Sequence, residues 1–330
     1  MTDHNQTVAN DLIEILGKKA VIKKQDDMAA YLSDWHDCFH GVSKAVALPQ
    51  TTSQVSAILA YAEKNNIVIV PQGGNTSFMG GATPDKTGNS ILLSLQRMNK
   101  IIEIDKNNMS MTVEAGCILE NLQRAADESG LYFPLNLAAK GSCTIGGNLG
   151  TNAGGLNVVR YGTTRALTLG VEVVLMGGKT LELLGGLRKD NTGYDLKNLF
   201  VGSEGTLGVI TKATLRLFAK PVAVSTAFVE VSGVSAAVDL LHRVQSASGN
   251  MVEAFELIPA DILHVLFESF PNIPRPLSTI GRMNVLLEIG STNPADGEVN
   301  TKGETRIRKI MEKVLSSAVE DGLVLNATIA

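Results

Sequence analysis

A concentration of glycine between residues 141 and 162 constrains this chain more than any other feature. Seven glycines fall within these 22 residues, where an average usage of about 7% would give one or two. Glycine adds no packing and costs conformational entropy, so it gathers where the backbone turns tightly or lies against a ligand. A second glycine-rich run, Pro71–Gly81, comes earlier in the chain. Two such segments predict a long, phosphate-bearing ligand held at several points, with flexible turns between strands as the alternative.

Length and composition indicate an ordinary globular protein. A chain of 330 residues exceeds a single core of typical size, so we expect two domains. Hydrophobic residues make up 44% and charged residues 19%, which excludes a disordered chain. The net charge of −4 argues against nucleic acid as a main partner. The 3 cysteines are scattered and odd in number, which favours reduced thiols over a disulfide framework.

The sequence carries no membrane signal. No apolar run approaches the roughly 18 residues that span a bilayer. The first residues, Met1–Gln6, lack a basic region followed by an apolar stretch. We therefore expect a cytoplasmic protein that does not span a membrane.

The residues before the first glycine-rich run predict a strand, a helix and a second strand. Lys44–Pro49 is a short apolar strand, and Thr51–Gln54 has the pattern of a capping box that opens a helix. The helix places apolar residues at the i, i+3, i+4, i+7 spacing of a buried stripe: Val55, Ile58, Leu59 and Ala62. Ile67–Pro71 is an apolar strand that leads directly into the glycine run.

The rest of the chain predicts mixed helix and sheet. Further strands are expected at Ser90–Leu95, Lys100–Asp105, Ser110–Ala115, Val171–Met176, Thr180–Leu184 and Leu207–Leu217. Ile118–Ser129 reads as a helix that Gly130 ends, and Gly177–Lys179 is a hairpin signal. After Pro221, strands alternate with helical patterns without glycine clusters, which predicts a second α+β domain.

Common nucleotide motifs are absent from both glycine-rich segments. The chain contains no G-x-G triplet, so a Rossmann site has no support. Gly178–Thr180 reads Gly-Lys-Thr, but Val173 stands where a P-loop needs its first glycine. Consecutive glycines present several backbone N–H groups to one anion, which suits a pyrophosphate without lysine.

Several motifs in one order carry a family resemblance. The segments are Pro71–Ser77, Gly141–Asn148, Asn152–Gly155, Arg160–Gly162, Lys189–Asp195 and Gly202–Gly208. In order and spacing they resemble the FAD-linked 2-hydroxyacid dehydrogenases of the vanillyl-alcohol oxidase type, over roughly residues 30 to 330. The resemblance implies an α+β fold with a PCMH-type, two-subdomain FAD-binding domain and an incomplete antiparallel-sheet cap domain. The expected boundaries are 1–40 for an N-terminal helical segment, 41–220 for the FAD-binding domain and 221–330 for the cap.

The resemblance also implies cofactor-binding residues. Residues 72–77 would wrap the FAD pyrophosphate with backbone amides, residues 153–162 would pass close to the isoalloxazine, and residues 204–210 would lie near the adenosine half. The full set is Pro71, Gln72, Gly73, Gly74, Asn75, Thr76, Ser77, Pro134, Gly141, Ser142, Thr144, Gly147, Asn148, Ala153, Gly154, Tyr161, Gly162, Glu204, Gly205, Gly208 and Ile210. Some relatives attach flavin through a histidine in the first loop, where this chain has Asn75. Non-covalent FAD is therefore expected.

The activity implied is oxidation of a D-2-hydroxy acid, such as D-2-hydroxyglutarate, D-lactate or glycolate, to the 2-oxo acid. Hydride would pass to flavin N5, and a quinone or an electron-transfer flavoprotein would accept the electrons. A homodimer is also expected. In the family, the substrate arginine, the metal ligands and the catalytic histidine lie beyond the position of Ala330. The alternative is therefore a non-catalytic FAD-binding subunit or fragment, and no catalytic residue is assigned.

Other polar residues allow a functional and an ordinary interpretation. His36 and His40 are four apart and could bind zinc in a helix, but a polar surface segment is favoured and no metal ligand is assigned. Cys143 could be a reactive thiol, with a small space-filling residue favoured.

Two more pairs of residues leave both interpretations open. Arg160 and Lys140 could meet a substrate carboxylate or remain solvated. Asn191 and Tyr194 could reach the flavin or form a polar turn with a packed tyrosine.

Overall fold

The computed structural model describes residues 3–301 and 303–330. Met1 and Thr2 of the expected N-terminal segment, and Lys302 of the expected cap, lie outside the described residues. The chain divides into two compact units. The first comprises the residues up to Ala153 and Thr163–Phe218, and the second comprises Gly154–Gly162 and Ala219–Ala330. The boundaries expected at residues 40 and 220 stay predictions.

Helices and strands are both distributed along the whole of the described residues. The helices are α1 (Asp3–Leu16), α2 (Gln25–Met28), α3 (Thr52–Lys64), α4 (Leu119–Glu128), α5 (Ile145–Gly150), α6 (Val158–Tyr161), α7 (Lys197–Phe200), α8 (Val234–Ser248), α9 (Ala260–Ser269), α10 (Pro294–Gly297) and α11 (Arg306–Glu320). The strands are β1 (Val21–Ile22), β2 (Val46–Ala47), β3 (Val68–Gln72), β4 (Ser90–Ser94), β5 (Ile101–Asp105), β6 (Ser110–Glu114), β7 (Leu131–Tyr132), β8 (Thr168–Val174), β9 (Thr180–Leu183), β10 (Val209–Arg216), β11 (Phe218–Ala219), β12 (Ala223–Val231), β13 (Val252–Pro259), β14 (Met283–Ser291) and β15 (Val324–Ile329).

The first unit contains a small sheet with the strand order β1-β2-β4-β3. Strands β2 and β3 both run parallel to β4, and α3 connects β2 to β3. The predicted cap is present, because the Thr51 side chain accepts a hydrogen bond from the backbone N–H of Gln54 at 3.2 Å. All four apolar residues of the predicted stripe are buried in the core of this unit. Strand β3 therefore delivers its last residue, Gln72, to the start of the first glycine loop.

A second sheet of the first unit has the order β5-β6-β10-β8-β9, with antiparallel pairing throughout. The hairpin predicted at Gly177 and Gly178 joins β8 to β9, and both glycines have a positive φ. Only glycine adopts such a conformation readily. This sheet carries β6, which ends beside the second glycine stretch.

The second unit is built on an antiparallel sheet of order β13-β14-β12-β15. Buried residues alternate along β12, as expected for a sheet with one face in a core. Helices α8 and α11 supply the other side of that core, with Leu240, Met311 and Leu315 buried against Val229 and Leu287. The unit thus has a hydrophobic core of its own.

The glycine stretch after residue 141 contains a helix rather than loop alone. Thr144 has an extended conformation, and its hydroxyl accepts from the backbone N–H of Gly147 at 3.4 Å, which caps α5. A Cβ on Gly146 would lie 2.7 Å from the Cβ of Ala115. Glycine therefore serves here to let a short helix approach the end of β6 closely. Among the described residues, no helix combines the length and apolar character that a membrane span requires.

Candidate functional site

The two glycine-rich segments meet in the first unit. A Cβ on Gly73 would lie 2.4 Å from Oγ1 of Thr144, and one on Gly74 would lie 2.1 Å from the carbonyl oxygen of Ser142. Both distances are far below van der Waals contact, so only glycine fits at either position. The first segment thus lies directly against the second.

Backbone pairing holds the second segment in place. The chain around the start of α4 pairs with the chain around the start of α5: Leu119 N donates to Cys143 O at 3.1 Å, and Ile145 N donates to Cys117 O at 2.9 Å. An isolated bridge also joins Ile118 to Thr144. The end of β6 and the start of α4 therefore fix the position of this segment.

Hydrogen bonds from two amide side chains anchor the first segment. Gln72 is buried, and its Nε2 donates to the carbonyl oxygens of Tyr31 and Ala82, each at 3.0 Å. Asn75 has a φ of +52°, which asparagine tolerates better than most residues, and its Nδ2 donates to Ser33 O at 2.7 Å. The loop is held by its side chains and leaves its backbone available.

Five successive backbone amides of the first segment, those of residues 73–77, lack protein acceptors. Within the described residues, no N–H from Gly73 to Ser77 donates to a protein group. Buried or half-buried N–H groups are nearly always paired with protein, water or ligand. A run of such donors along a turn is an anion-binding arrangement.

A third motif lies against the first. A Cβ on Gly205 would lie 2.6 Å from Cγ of Pro71, and one on Gly81 would lie 3.3 Å from Oε2 of Glu204. Glu204 N donates to the carbonyl oxygen of Gly150 at 2.9 Å. The motif at residues 202–208 therefore approaches both the first loop and the end of α5.

A cavity of about 570 Å³ opens beside the two meeting segments. Its volume falls in the range of small-molecule sites. The predicted site residues that line it are Gln72, Gly73, Gly74, Asn75, Ser142 and Thr144. The lining residues that sequence reasoning missed are Ala30, Tyr31, Gln96, Asn99, Ile101, Gly116, Cys117, Ile118, Asn121 and Leu122. They come from three separated parts of the chain, residues 30–31, 96–101 and 116–122, and no local sequence pattern links these parts to the glycine segments.

Burial raises the pKa values of two cysteine thiols in these segments. Desolvation by burial raises the pKa of the Cys117 thiol to about 12, and it also raises the pKa of Cys143, although a contact with Asn148 opposes that shift. Both thiols are therefore protonated at neutral pH, which supports the space-filling interpretation of Cys143. Asn148 is buried, and its Oδ1 has no hydrogen-bond partner. Asn148 is not among the residues that line the cavity.

The remaining predicted site residues of the first unit lie outside the cavity lining. Pro134 is buried, and Gly141 is exposed near Glu120. Gly208 and Ile210 are buried at the start of β10, where Ile210 pairs with Val173. Four others lie on the loops already described or near α5: Thr76, Ser77, Gly147 and Ala153.

Gly154, Tyr161 and Gly162 belong to the second unit. In this unit the Arg160 guanidinium forms an ion pair with Glu253, and the Tyr161 hydroxyl donates to Oε1 of Glu253 at 3.0 Å. Arg160 is therefore engaged by a carboxylate of the protein itself, rather than solvated.

The other polar candidates lie at the surface. Lys140 and Asn191 are exposed, and Tyr194 is 93% exposed rather than packed in a turn. The His36 ring lies against Phe78, with ring centroids 4.6 Å apart. His40 Nε2 lies 3.5 Å from Oδ1 of Asp37. In the part of the chain that the structure describes, no three His, Cys, Asp or Glu side chains are placed to hold one metal ion.

Comparison with known proteins identifies the class. Residues 43–184 match the family of the FAD binding domain, and these residues include the first two glycine segments and most of the cavity. This part of the chain matches that family, and the match supports FAD as the cofactor. The residues fit the group, because a row of unpaired amides and glycines without room for a side chain suits a pyrophosphate.

The chain is more particularly similar to D-2-hydroxyglutarate dehydrogenases. It is 38% identical over 317 residues to the mitochondrial D-2-hydroxyglutarate dehydrogenase of Arabidopsis thaliana, covering 96% of this chain and 55% of that protein. The protein of the same name from Danio rerio is 40% identical over 292 residues, which is 88% of this chain and 53% of that protein. The chain thus spans about half the length of the curated relatives it matches. The resemblance to FAD-linked 2-hydroxyacid dehydrogenases is confirmed.

A solved structure supports the fold. Alkyldihydroxyacetonephosphate synthase superposes with a TM-score of 0.77 at 18% identity, over 98% of this chain and 60% of that chain. The predicted α+β class with a PCMH-type FAD-binding fold is confirmed.

The predicted cytoplasmic location is wrong. The relatives from Arabidopsis thaliana, Oryza sativa, Danio rerio and Rattus norvegicus are all named as mitochondrial proteins, which points to mitochondria. The prediction rested on the lack of a secretory pattern and of a long apolar run, and neither excludes mitochondria, because mitochondrial targeting segments are amphipathic and need no apolar run.

Proposed function

We propose that the protein to which this chain belongs oxidises a D-2-hydroxy acid, such as D-2-hydroxyglutarate, D-lactate or glycolate, to the 2-oxo acid with FAD. The observation that carries the proposal is the meeting of two glycine segments beside a cavity, with five successive amides free of protein acceptors. The names of the relatives support the substrate class, since they are D-2-hydroxyglutarate dehydrogenases.

The chain's own residues would bind and orient the cofactor. The amides of residues 73–77 would donate to the pyrophosphate, and Thr144 would contact the same ligand from the second segment. Gln72 and Asn75 would keep the loop in shape through their bonds to carbonyl oxygens. Bound FAD would supply hydride acceptance at N5.

The FAD would be held without a covalent bond. The residue at the loop position used for attachment in some relatives is Asn75, and its side-chain amide is committed to Ser33. A carboxamide is a poor nucleophile toward a flavin methyl group. Dissociation of FAD on acid denaturation is therefore expected.

A second candidate is an FAD-binding part without turnover of its own. The residues lining the cavity include no His, Asp, Glu, Lys or Arg, so these described residues offer no base for the substrate hydroxyl. The chain also covers only 55% of the Arabidopsis relative. Binding of FAD without reduction by substrate would fit this candidate.

The first experiment is a visible absorption spectrum, followed by acid precipitation. We expect flavin bands that move into the supernatant. FAD-loaded protein would then receive D-2-hydroxyglutarate, D-lactate or glycolate without air, with the L enantiomers of the first two as controls. Bleaching by a D acid alone supports the oxidoreductase, and FAD binding without bleaching supports the second candidate. A colourless protein that takes up no added FAD would contradict both.

The electron acceptor and the oligomeric state complete the proposal. We propose a quinone or an electron-transfer flavoprotein as the acceptor and a homodimer as the assembly. Reoxidation of bleached protein by a soluble quinone analogue, compared with an electron-transfer flavoprotein, distinguishes the acceptors. Sedimentation velocity measures the assembly, and a monomer at micromolar concentration would exclude a stable dimer.

A further inference from the structure

Two arginine side chains meet at one end of the second sheet of the first unit. Arg216 ends β10, and its register partner is Ser110 at the start of β6. Arg188 lies in the loop after β9, and its Nη2 donates to the carbonyl oxygen of Asn108 at 3.1 Å. The Nδ2 group of Asn108 donates to Oγ of Ser110 at 3.2 Å and to the carbonyl oxygen of Gly186 at 2.8 Å. The turn before β6 therefore holds the segment of Arg188 beside Arg216.

The Arg216 guanidinium is half-buried and has no hydrogen-bond acceptor. Its Nε is shielded from solvent without a hydrogen-bond partner, and its Cζ lies 4.6 Å from the centre of the Phe218 ring. Nη1 and Nη2 form no hydrogen bond with a described residue, and they are not shielded from solvent. The end of the guanidinium is therefore open to a ligand.

No carboxylate neutralises these two cations. Among the residues that the structure describes, neither Arg188 nor Arg216 forms an ion pair with Asp or Glu. The acidic side chains of the same segments have other partners: Asp105 accepts from two backbone N–H groups of its own turn, and Asp190 accepts from Thr192 N. Burial lowers the pKa of Arg216, and the charge of Arg188 lowers it further. Because an uncompensated cation is unfavourable away from water, the arrangement favours an anion from outside the chain.

Two adjacent guanidinium groups suit a phosphate group better than a carboxylate. One guanidinium forms two parallel hydrogen bonds with a carboxylate or a phosphate, so a single carboxylate satisfies only one of the two arginines. A phosphate monoester has three acceptor oxygens and a charge of about −1.5 to −2 at pH 7. Its oxygens and its charge therefore match both cations.

We propose that Arg188 and Arg216 form a binding site for a phosphate group, carried by inorganic phosphate or by a small phosphate monoester. The site is separate from the cavity of the proposed function, because Ser110 begins β6 and Gly116 of the cavity follows the end of that strand. At about 3.3 Å per residue along a strand, these two residues lie on the order of 20 Å apart. The proposal therefore does not depend on FAD.

The test is a titration of FAD-saturated protein, in which FAD occupies the glycine loops and keeps them from competing for phosphate. Sodium phosphate, phenyl phosphate and the dicarboxylate succinate are titrated by calorimetry at constant ionic strength, since salt screens exposed charges. Arg216→Gln and Arg188→Gln each remove one guanidinium, and Arg216→Lys keeps a charge without the planar fork. Arg275→Gln is the matched control, because it removes an arginine of the second unit that also stacks on a phenylalanine ring, with its Cζ 5.1 Å from the ring centre.

We expect one phosphate ion to bind per chain and succinate to bind at least tenfold more weakly. Loss of a hydrogen bond to a charged group lowers affinity by about tenfold or more, so Arg216→Gln and Arg188→Gln should each weaken phosphate binding about tenfold. Arg216→Lys should give an intermediate affinity, and Arg275→Gln should stay within twofold of the unaltered protein. Tighter binding of phenyl phosphate than of inorganic phosphate would assign the site to a monoester, and equal affinity would assign it to the free ion.

Three results would overturn the proposal. They are no phosphate binding by the unaltered protein, phosphate binding that Arg216→Gln and Arg188→Gln both keep within twofold, and succinate binding as tight as phosphate binding. If Arg216→Gln does not fold, the exposed Arg188→Gln and the charge-conserving Arg216→Lys decide. Failure to take up FAD would contradict only the proposed function, because the same titration of FAD-free protein and of its Arg188→Gln variant still measures the phosphate binding that depends on this site.

Discussion

Gly74 has no room for a side chain, because a Cβ there would lie 2.1 Å from the carbonyl oxygen of Ser142. Gly74→Ala must therefore push the first loop away from the second segment. We expect FAD affinity to fall at least tenfold, since the loop amides would no longer converge on one pyrophosphate. Fluorescence titration with FAD measures the change.

Gly185→Ala is the control for this substitution. Its Cβ would meet nothing within 4 Å, and its φ is not in the left-handed region. The control should bind FAD like the unaltered protein. Circular dichroism of Gly74→Ala shows whether the variant is folded, and a folded Gly74→Ala with unchanged FAD affinity would exclude the loop from the FAD site.

The three cysteines should differ strongly in reactivity. Cys38 is exposed, whereas Cys117 and Cys143 are buried with raised pKa values, about 12 for Cys117. The thiolate is the reactive form, so at pH 8 a disulfide reagent should modify one thiol quickly and two slowly. Cys38→Ser should abolish the fast phase. Two fast thiols in the unaltered protein would show that one of the two buried thiols, Cys117 or Cys143, becomes exposed readily.

At the scale of elements, one carboxylate joins a helix to two strands. Glu172 on β8 is buried and accepts from Thr52 of α3 at 2.5 Å, from Thr211 of β10 at 2.7 Å and from Lys212 Nζ at 3.0 Å. A buried carboxylate with three donors is favourable only while all remain. We expect Glu172→Gln to lower the free energy of unfolding by about 1–3 kcal/mol, measured by urea denaturation at pH 7.

The same network predicts a pH dependence. Burial alone would raise the pKa of Glu172, but the hydrogen bonds from Thr52 and Thr211 and the charge of Lys212 hold it below the ordinary value. A lowered pKa in the folded state contributes stability above the ordinary pKa and loses it as the pH falls through the folded value. The unaltered protein should therefore lose more stability than Glu172→Gln between pH 7 and pH 3.

Glu182→Gln serves as the control for this network. Glu182 is the exposed register partner of Glu172 on β9, so its substitution should change stability by no more than about 0.5 kcal/mol. Equal losses in the two variants would mean that the network contributes nothing beyond an ordinary surface carboxylate.

Elements with local signals were predictable, and contacts between distant segments were not. The cap at Thr51 and the stripe of α3 lie within one stretch of sequence, and both are present. The glycines of α5 disfavour a helix, so the sequence does not predict this element, and its packing against Ala115 has no local signal. The partner of Arg160 lies at Glu253, 93 residues away, so no local pattern indicated it. The assignment of individual residues to FAD remains a prediction that the loop geometry supports.

At the scale of the whole molecule, each unit has a hydrophobic core of its own. Ile58 and Leu93 lie in a core of the first unit, and Leu240 and Val285 lie in the core of the second. Chains with separate cores commonly depart from two-state unfolding, so we expect two transitions in a calorimetric scan. Ile58→Ala should lower the temperature of only one transition, and Leu240→Ala that of only the other. Each substitution should lower the free energy of unfolding of its own unit by about 2–5 kcal/mol, which is typical of such core truncations.

Binding of FAD should raise the temperature of only one of these two unfolding transitions. A ligand that binds only the folded state stabilises it by about 2.7 kcal/mol at a concentration one hundred times its Kd. Because the glycine loops and the cavity belong to the first unit, the transition that Ile58→Ala lowers should be the one that FAD raises. ADP, which carries the pyrophosphate without the flavin, should raise that transition less at an equal concentration. A single transition that both variants and FAD shift together would show instead that the two units unfold as one, since shared cooperativity requires that neither core can persist without the other.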